Sequence, residues 1–82
     1  MKYSMYAILD VKANWLTPTM DTNDMTAKRN FKFACNNSES LMHFSPQDFA
    51  LYRIGMYDNE KGELSGYDPV LLLRGDEVVN HE

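Results

Sequence analysis

The sequence predicts a small α+β domain of β-α-β-β order, with one helix packed on an antiparallel-containing sheet that includes a β-hairpin. Three stretches carry this reading. Tyr3 to Lys12 alternates in strand fashion. Ala27, Phe31, Ala34 and Cys35 fall at the i, i+4, i+7, i+8 spacing of one helical face. Asp48 to Leu64 reads as a strand, a tight turn and a returning strand.

The first strand is expected from Tyr3 to Leu16. Tyr3, Met5, Ala7, Leu9 and Val11 alternate with Ser4, Tyr6, Ile8, Asp10 and Lys12, and Tyr6 and Ile8 make the second face partly apolar. A central strand, covered on one side and half covered on the other, suits this pattern. Thr17-Pro18-Thr19 ends it, because proline removes a ladder donor. The helix follows. Asp21, Thr22 and Asn23 are candidate N-caps, and Asp24 complements the positive end of the helix dipole. Asn36-Asn37-Ser38 ends it.

Ser38 to Asp48 reads as a loop whose Leu41, Met42 and Phe44 tuck against the helix end. Within it, Ser45-Pro46-Gln47-Asp48 has the residues of a single helical turn. In the hairpin, Ala50, Tyr52, Ile54 and Met56 form a uniformly apolar face, assigned to the core; Leu51, Arg53, Gly55 and Tyr57 form the other. Asp58 to Gly62 supplies the turn, with Gly62 in the left-handed position that closes a type I turn with a bulge. The returning strand runs from Gly62 to Tyr67, with Gly66 marking a bulge, and Asp68-Pro69 breaks the pairing. Val70 to Leu73 is either a short fourth, edge strand or a buried turn. The single domain is taken as residues 1–75, with 76–82 a polar C-terminal tail that frays from Val78.

Eighty-two residues lie near the lower size limit for an unaided core. With one cysteine, Cys35, there is no internal disulfide, and the expected compartment is reducing. Burial in an oligomer would add to a small core, so a homodimer is expected. No run of about 18 apolar residues exists, which predicts no membrane span. The Met1-Lys2-Tyr3-Ser4 opening lacks a signal-type apolar block, and the expected location is cytoplasmic. Net charge is -4, unevenly spread. Residues 1–36 hold five Lys and Arg against three acids, for +2; residues 37–82 hold three against nine, for -6. An acidic total argues against strong nonspecific nucleic-acid binding, but a local basic face remains available.

No catalytic constellation is present, and no enzyme, cofactor or metal is expected. The four glycines are scattered rather than arranged as a phosphate loop. His43 and His81 lie 38 positions apart, outside any metal-ligand spacing. Cys35, on the apolar helix face, reads as a core residue rather than a nucleophile. Asp58, Glu60 and Glu63 read as solvated turn residues, and nothing supports Asp10 and Asp48 as a metal-bound carboxylate pair.

The candidate binding residues are basic and aromatic. Lys28, Arg29 and Lys32 fall on the outward side of the helix, and Phe33 lies one turn beyond Arg29. Cations there would hold phosphates while the phenyl ring stacks a base. The competing reading packs Phe33 under a loop or in a dimer interface. Lys12 and Arg53, on the strands, complete the candidate nucleic-acid-binding set. Tyr3, Tyr6, Trp15, Tyr52, Tyr57 and Tyr67 lie on predicted strands or their ends. Sheet aromatics stack single strands in several small folds, but they also fill small cores.

Several blocks together resemble a known family. These are Lys2 to Ala13, Pro18 with Asn23-Asp24 ahead of a helix carrying Ala27, Arg29 and Phe31, then Ser45 to Asp58, Gly62-Glu63-Leu64 and an apolar exit after Pro69. Their order and spacing resemble the small non-structural protein of the gokushoviruses, single-stranded-DNA phages of the Microviridae. The likeness covers nearly the whole chain and is most specific from Asp48 to Asp58. The resemblance implies a DNA-binding or replication-associated protein of the host cytoplasm. Such a protein binds single-stranded DNA or assists the switch from genome replication to packaging. It brings no catalytic motif. The alternative is a protein-interaction module acting on phage or host replication or capsid-assembly proteins, by strand addition at the Val70 to Leu73 edge.

Overall fold

The computed structural model describes residues 1–79. Its elements run β1 (Lys2–Asp10), β2 (Asn14–Trp15), β3 (Thr19–Asp21), α1 (Asp24–Asn36), α2 (Leu41–Phe44), a 3-10 turn (Pro46–Asp48), β4 (Phe49–Asp58), β5 (Glu63–Arg74) and α3 (Gly75–Val78). All strand pairings are antiparallel. The sheet order is β2-β1-β4-β5, with β3 also on the outer edge of β1. The α+β class, the central place of β1, the helix and the hairpin are thus as expected.

The first strand is shorter than its pattern suggested. It stops at Asp10, where the Asp10 carboxylate accepts the Lys12 N–H at 3.0 Å and the Asp10 carbonyl accepts the Ala13 N–H at 3.0 Å. Asn14 then takes a positive φ of 145°, and β2 folds back on β1 with Leu9 opposite Trp15. Alternation alone does not register this local turn.

Helix α1 begins where capping chemistry places it. The Asn23 side chain accepts the Thr26 N–H at 2.8 Å. Ala27, Phe31 and Cys35 are buried and join Tyr6, Phe49 and Leu51 in the core. Ile8, Met42, Leu72, Leu73, Val78 and Val79 pack against that cluster. The expected loop at 38–48 contains a further helical turn, α2, capped by Ser40. Only Met42 of its apolar residues reaches the core; Leu41 and Phe44 are exposed rather than tucked in.

The hairpin turn closes as expected, with the Gly62 N–H donating to the Asp58 carbonyl at 2.8 Å and Gly62 at φ 68°. Up to Arg53 the faces of β4 are the reverse of the expected ones; beyond Ile54 the register restores them, with Met56 on the helix side and Gly55 and Tyr57 on the other. Phe49 and Leu51 are the buried residues, and the register places Ala50 and Tyr52 on the opposite side. Phe49 and Leu51 share their side with Arg53, which that side accepts because Asp24 pairs with it, so the uniformly apolar stripe is not the buried one. Ile54 is a bulge, since Tyr6 pairs with Arg53 and Met5 with Gly55. The same shift opposes Gly55 to Gly66 and Arg53 to Val70, leaving Tyr67, Asp68 and Pro69 looped out of register. Pro69 therefore interrupts no required bond, and β5 continues to Arg74. The run at 70–73, read as either a fourth edge strand or a buried turn, is the second half of β5 at the sheet edge.

The chain beyond Arg74 is also more ordered than a fraying tail. Gly75 is buried, and a Cβ there would lie 2.3 Å from the Pro46 carbonyl oxygen, so only glycine lets α3 sit this close. Val78 and Val79 then reach the core. Of the expected tail, residues 80–82, including His81, lie outside the described residues.

Candidate functional site

Helix α1 covers one face of the sheet and shows its other side to solvent. Arg29, Lys32 and Phe33 are exposed, Phe33 at 74%, and Lys28 is partly exposed on the flank. Met25, 80% exposed, precedes Arg29 and Phe33 at four-residue steps, so an apolar–cation–apolar stripe runs along the helix. Among the described residues, the side chains of Lys28, Arg29 and Lys32 make no ion pair. Four of the six candidate binding residues thus share one surface.

The other two are elsewhere. Lys12 sits in the turn after β1, beside a shallow recess shared with Leu41 and Asp48. Arg53 lies on the helix side of β4. Its Nη1 pairs with Asp24 Oδ2, and its Nε donates to the Tyr67 hydroxyl at 2.9 Å. The Tyr6 hydroxyl donates to the second Asp24 oxygen at 2.7 Å. Asp24 therefore ties the first turn of α1 to β1 and β4 at once. Burial, aided by the Asp24 carboxylate, pushes the Tyr6 phenol up to about 12, so it stays a donor across the neutral range. Arg53 is a structural cation here; a phosphate could recruit it only in competition with Asp24. This network was hidden in the sequence because its members are spread over 61 positions with no fixed spacing.

The aromatics divide by face. Tyr6 and Tyr67 belong to the network on the helix side. Tyr3, Trp15, Tyr52 and Tyr57 fall on the opposite, uncovered face according to the strand register. Trp15 and Tyr52 meet there edge to face, with ring centroids 5.0 Å apart. A cleft of about 320 Å³ also opens at the β1 edge between β2 and β3. Ile8, Phe31 and Ala34 line it with Thr17, Thr19 and Asn30. It has no charged side chain but Asp21.

The carboxylates do not converge. Among the described residues, no group of three or more His, Cys, Asp and Glu side chains could hold a metal ion. His43 Nδ1 lies 3.1 Å from the Cys35 carbonyl oxygen and its ring packs edge-on against Phe44, so it serves the loop. Cys35 is fully buried, and burial pushes its thiol up to about 11. No helix among the described residues is long and apolar enough to cross a membrane.

Comparison with known families matches residues 3–78 to the family described as Phage ORF5 protein, and the chain belongs to that family. No curated protein and no solved structure matches it.

Proposed function

We propose that this phage ORF5 family protein is a non-structural, non-enzymatic factor of the gokushovirus type. In this reading it binds single-stranded DNA in the host cytoplasm or assists the switch from genome replication to packaging. The observation that carries the reading is the outward side of α1, where Lys28, Arg29 and Lys32 flank an exposed Phe33. Three cations without an ion pair among the described residues can replace counterions along a phosphate backbone, and an exposed phenyl ring can stack a base of any identity. The surface suits an unpaired strand better than a duplex, whose bases are not free to stack on it.

The test is fluorescence anisotropy of a labelled single-stranded oligonucleotide at low and moderate salt, with duplex as control. The wild type should bind the single strand preferentially and lose affinity as salt rises. Joint replacement Lys28→Gln, Arg29→Gln and Lys32→Gln should weaken binding and make the log–log salt slope shallower by about 2. Unchanged affinity and slope in that variant would remove the helix face from the proposal.

A second reading, a module acting on replication or capsid-assembly proteins, draws on β5. This strand lies at the sheet edge, and residues 63–71 are exposed along it. Leu72 packs on the core, so a probe of this edge belongs at the exposed Val70. Val70→Lys should abolish capture of co-expressed phage capsid or replication proteins with the fold intact; retained capture counts against the edge.

A further inference from the structure

The uncovered face of the sheet has the composition of an interior. The register places Tyr3, Tyr57 and Leu64 in one row across it, Met20 and Met5 in the next, then Tyr52 and Leu71, then Trp15 and Leu9. Of the strand acids, Asp10, Asp21, Asp58 and Glu63 fall on the other side, and Asp68 lies in the looped-out segment that the register assigns to neither face. Of the residues that the register assigns to the uncovered face, Arg74 alone is charged. Leu64 is 67% exposed, Met20 52% and Trp15 45%. An antiparallel sheet with one solvated face ordinarily alternates polar residues onto it, and this sheet does the reverse.

We propose that this face is the interface with a second copy of the chain, the two sheets packing face to face about a twofold axis. Neutrality is the first argument. A face with a single cation offers little to phosphates, whereas two copies of it meet with almost no charge to desolvate. Area is the second. Four strands about 4.8 Å apart, over about eight residues at 3.3 Å each, give a footprint of roughly 500 Å² per copy. Two copies then bury on the order of 1,000 Å², the size at which specific interfaces begin. The third argument is the size of the existing core, whose fully buried side chains are few for a chain without a disulfide. The resulting particle is layered helix–sheet–sheet–helix. It turns the basic sides of the two α1 helices outward in opposite directions, so the inference holds whatever α1 binds.

Trp15, the sole tryptophan, reports on this face directly. Sedimentation equilibrium from micromolar to hundreds of micromolar protein should show a monomer–dimer equilibrium, and Trp15 emission should shift to the blue as dimer forms. Leu64→Lys and Leu71→Lys, both at exposed positions, should weaken dimerisation about a hundredfold each with unchanged far-ultraviolet circular dichroism. Phe33→Ser, on the far side of the molecule, should leave it unchanged. A wild type that stays monomeric overturns the proposal, as does a dimer that survives both lysines. Quenching of a monomer's Trp15 emission by oligothymidine would also overturn it and assign the face to nucleic acid.

Discussion

Tyr6 shows how much one side chain can organise. It is buried at 1% exposure, lies opposite Arg53 in the sheet, and gives its hydroxyl proton to Asp24. A phenol that ionises near 10 in the unfolded chain but near 12 in the folded one holds its proton longer when folded. Its contribution is therefore fully present below pH 10 and is lost as pH rises from about 10 to 12. The phenolate absorbance titration should show a late step near 12 that disappears in Tyr6→Phe. Denaturant midpoints should fall over the same window more steeply in the wild type than in Tyr6→Phe. At neutral pH the variant should lose about 1–2 kcal/mol, the hydrogen bond to a charged acceptor. A titration identical in both proteins would mean that Tyr6 is not the late group. Residue types were legible in the sequence where chemistry is local: Asn23 as a cap and Gly62 in its turn. Arg53 was not, because its partner Asp24 lies 29 positions away and only the fold joins them.

Elements were legible where one pattern excluded the others. Helix α1 satisfies cap, periodicity and stop signals together, and it forms over Asp24–Asn36. Its cap offers a direct check. Asn23→Ala should destabilise the protein by about 1 kcal/mol and Asn23→Asp should not, as read from urea midpoints. An equal loss in both would place the effect outside the capping bond. The strands were harder for a physical reason. The bulge at Ile54 shifts register without a local sequence mark, whereas Gly66 marks the irregularity that follows it; because that irregularity takes up Pro69, β5 runs through a proline that reads as a stop. The end of β1 is not legible in the alternation because a carboxylate-capped turn at Asp10 can be written in residues that also suit a strand. The close approach of α3 to Pro46 rests on Gly75, whose replacement by alanine would force backbone apart rather than move a side chain. Gly75→Ala should thus cost more than an exposed glycine-to-alanine change and release Val78 and Val79 from the core.

At the scale of the molecule, cover is uneven. The particle measures 46 × 23 × 19 Å, and the core gathers where α1, α3 and the inner half of the sheet meet. Toward the hairpin tip, Glu63 to Tyr67 are all exposed and no buried residue lies beyond Gly55 until Gly75. The tip is held instead by local bonds: the Asp58 carboxylate accepts the Glu60 N–H at 3.0 Å, and the N-terminal amine meets Glu60 at 3.2 Å. Exposed ion pairs of this kind contribute little. Backbone bonds without an apolar cover open at low free energy, so hydrogen exchange in dilute solution should divide the hairpin. Amides of Met56 to Asp58 and Leu64 to Gly66 should exchange well before those of Leu51 and Leu73, although all four segments belong to the same two strands. Concentration then separates two accounts of the outer half. If the uncovered face packs on a second copy, the rows through Tyr57 and Leu64 gain their missing layer, and their protection should rise with protein concentration while that of α1 stays constant. Protection at the tip that is already high in dilute solution would contradict the gradient. Protection that is low and independent of concentration would leave the face without its partner. Ala50 and Tyr52, the first half of the apolar stripe that alternation assigns to the core of β4, are in this light interior residues placed on the surface that the dimer buries.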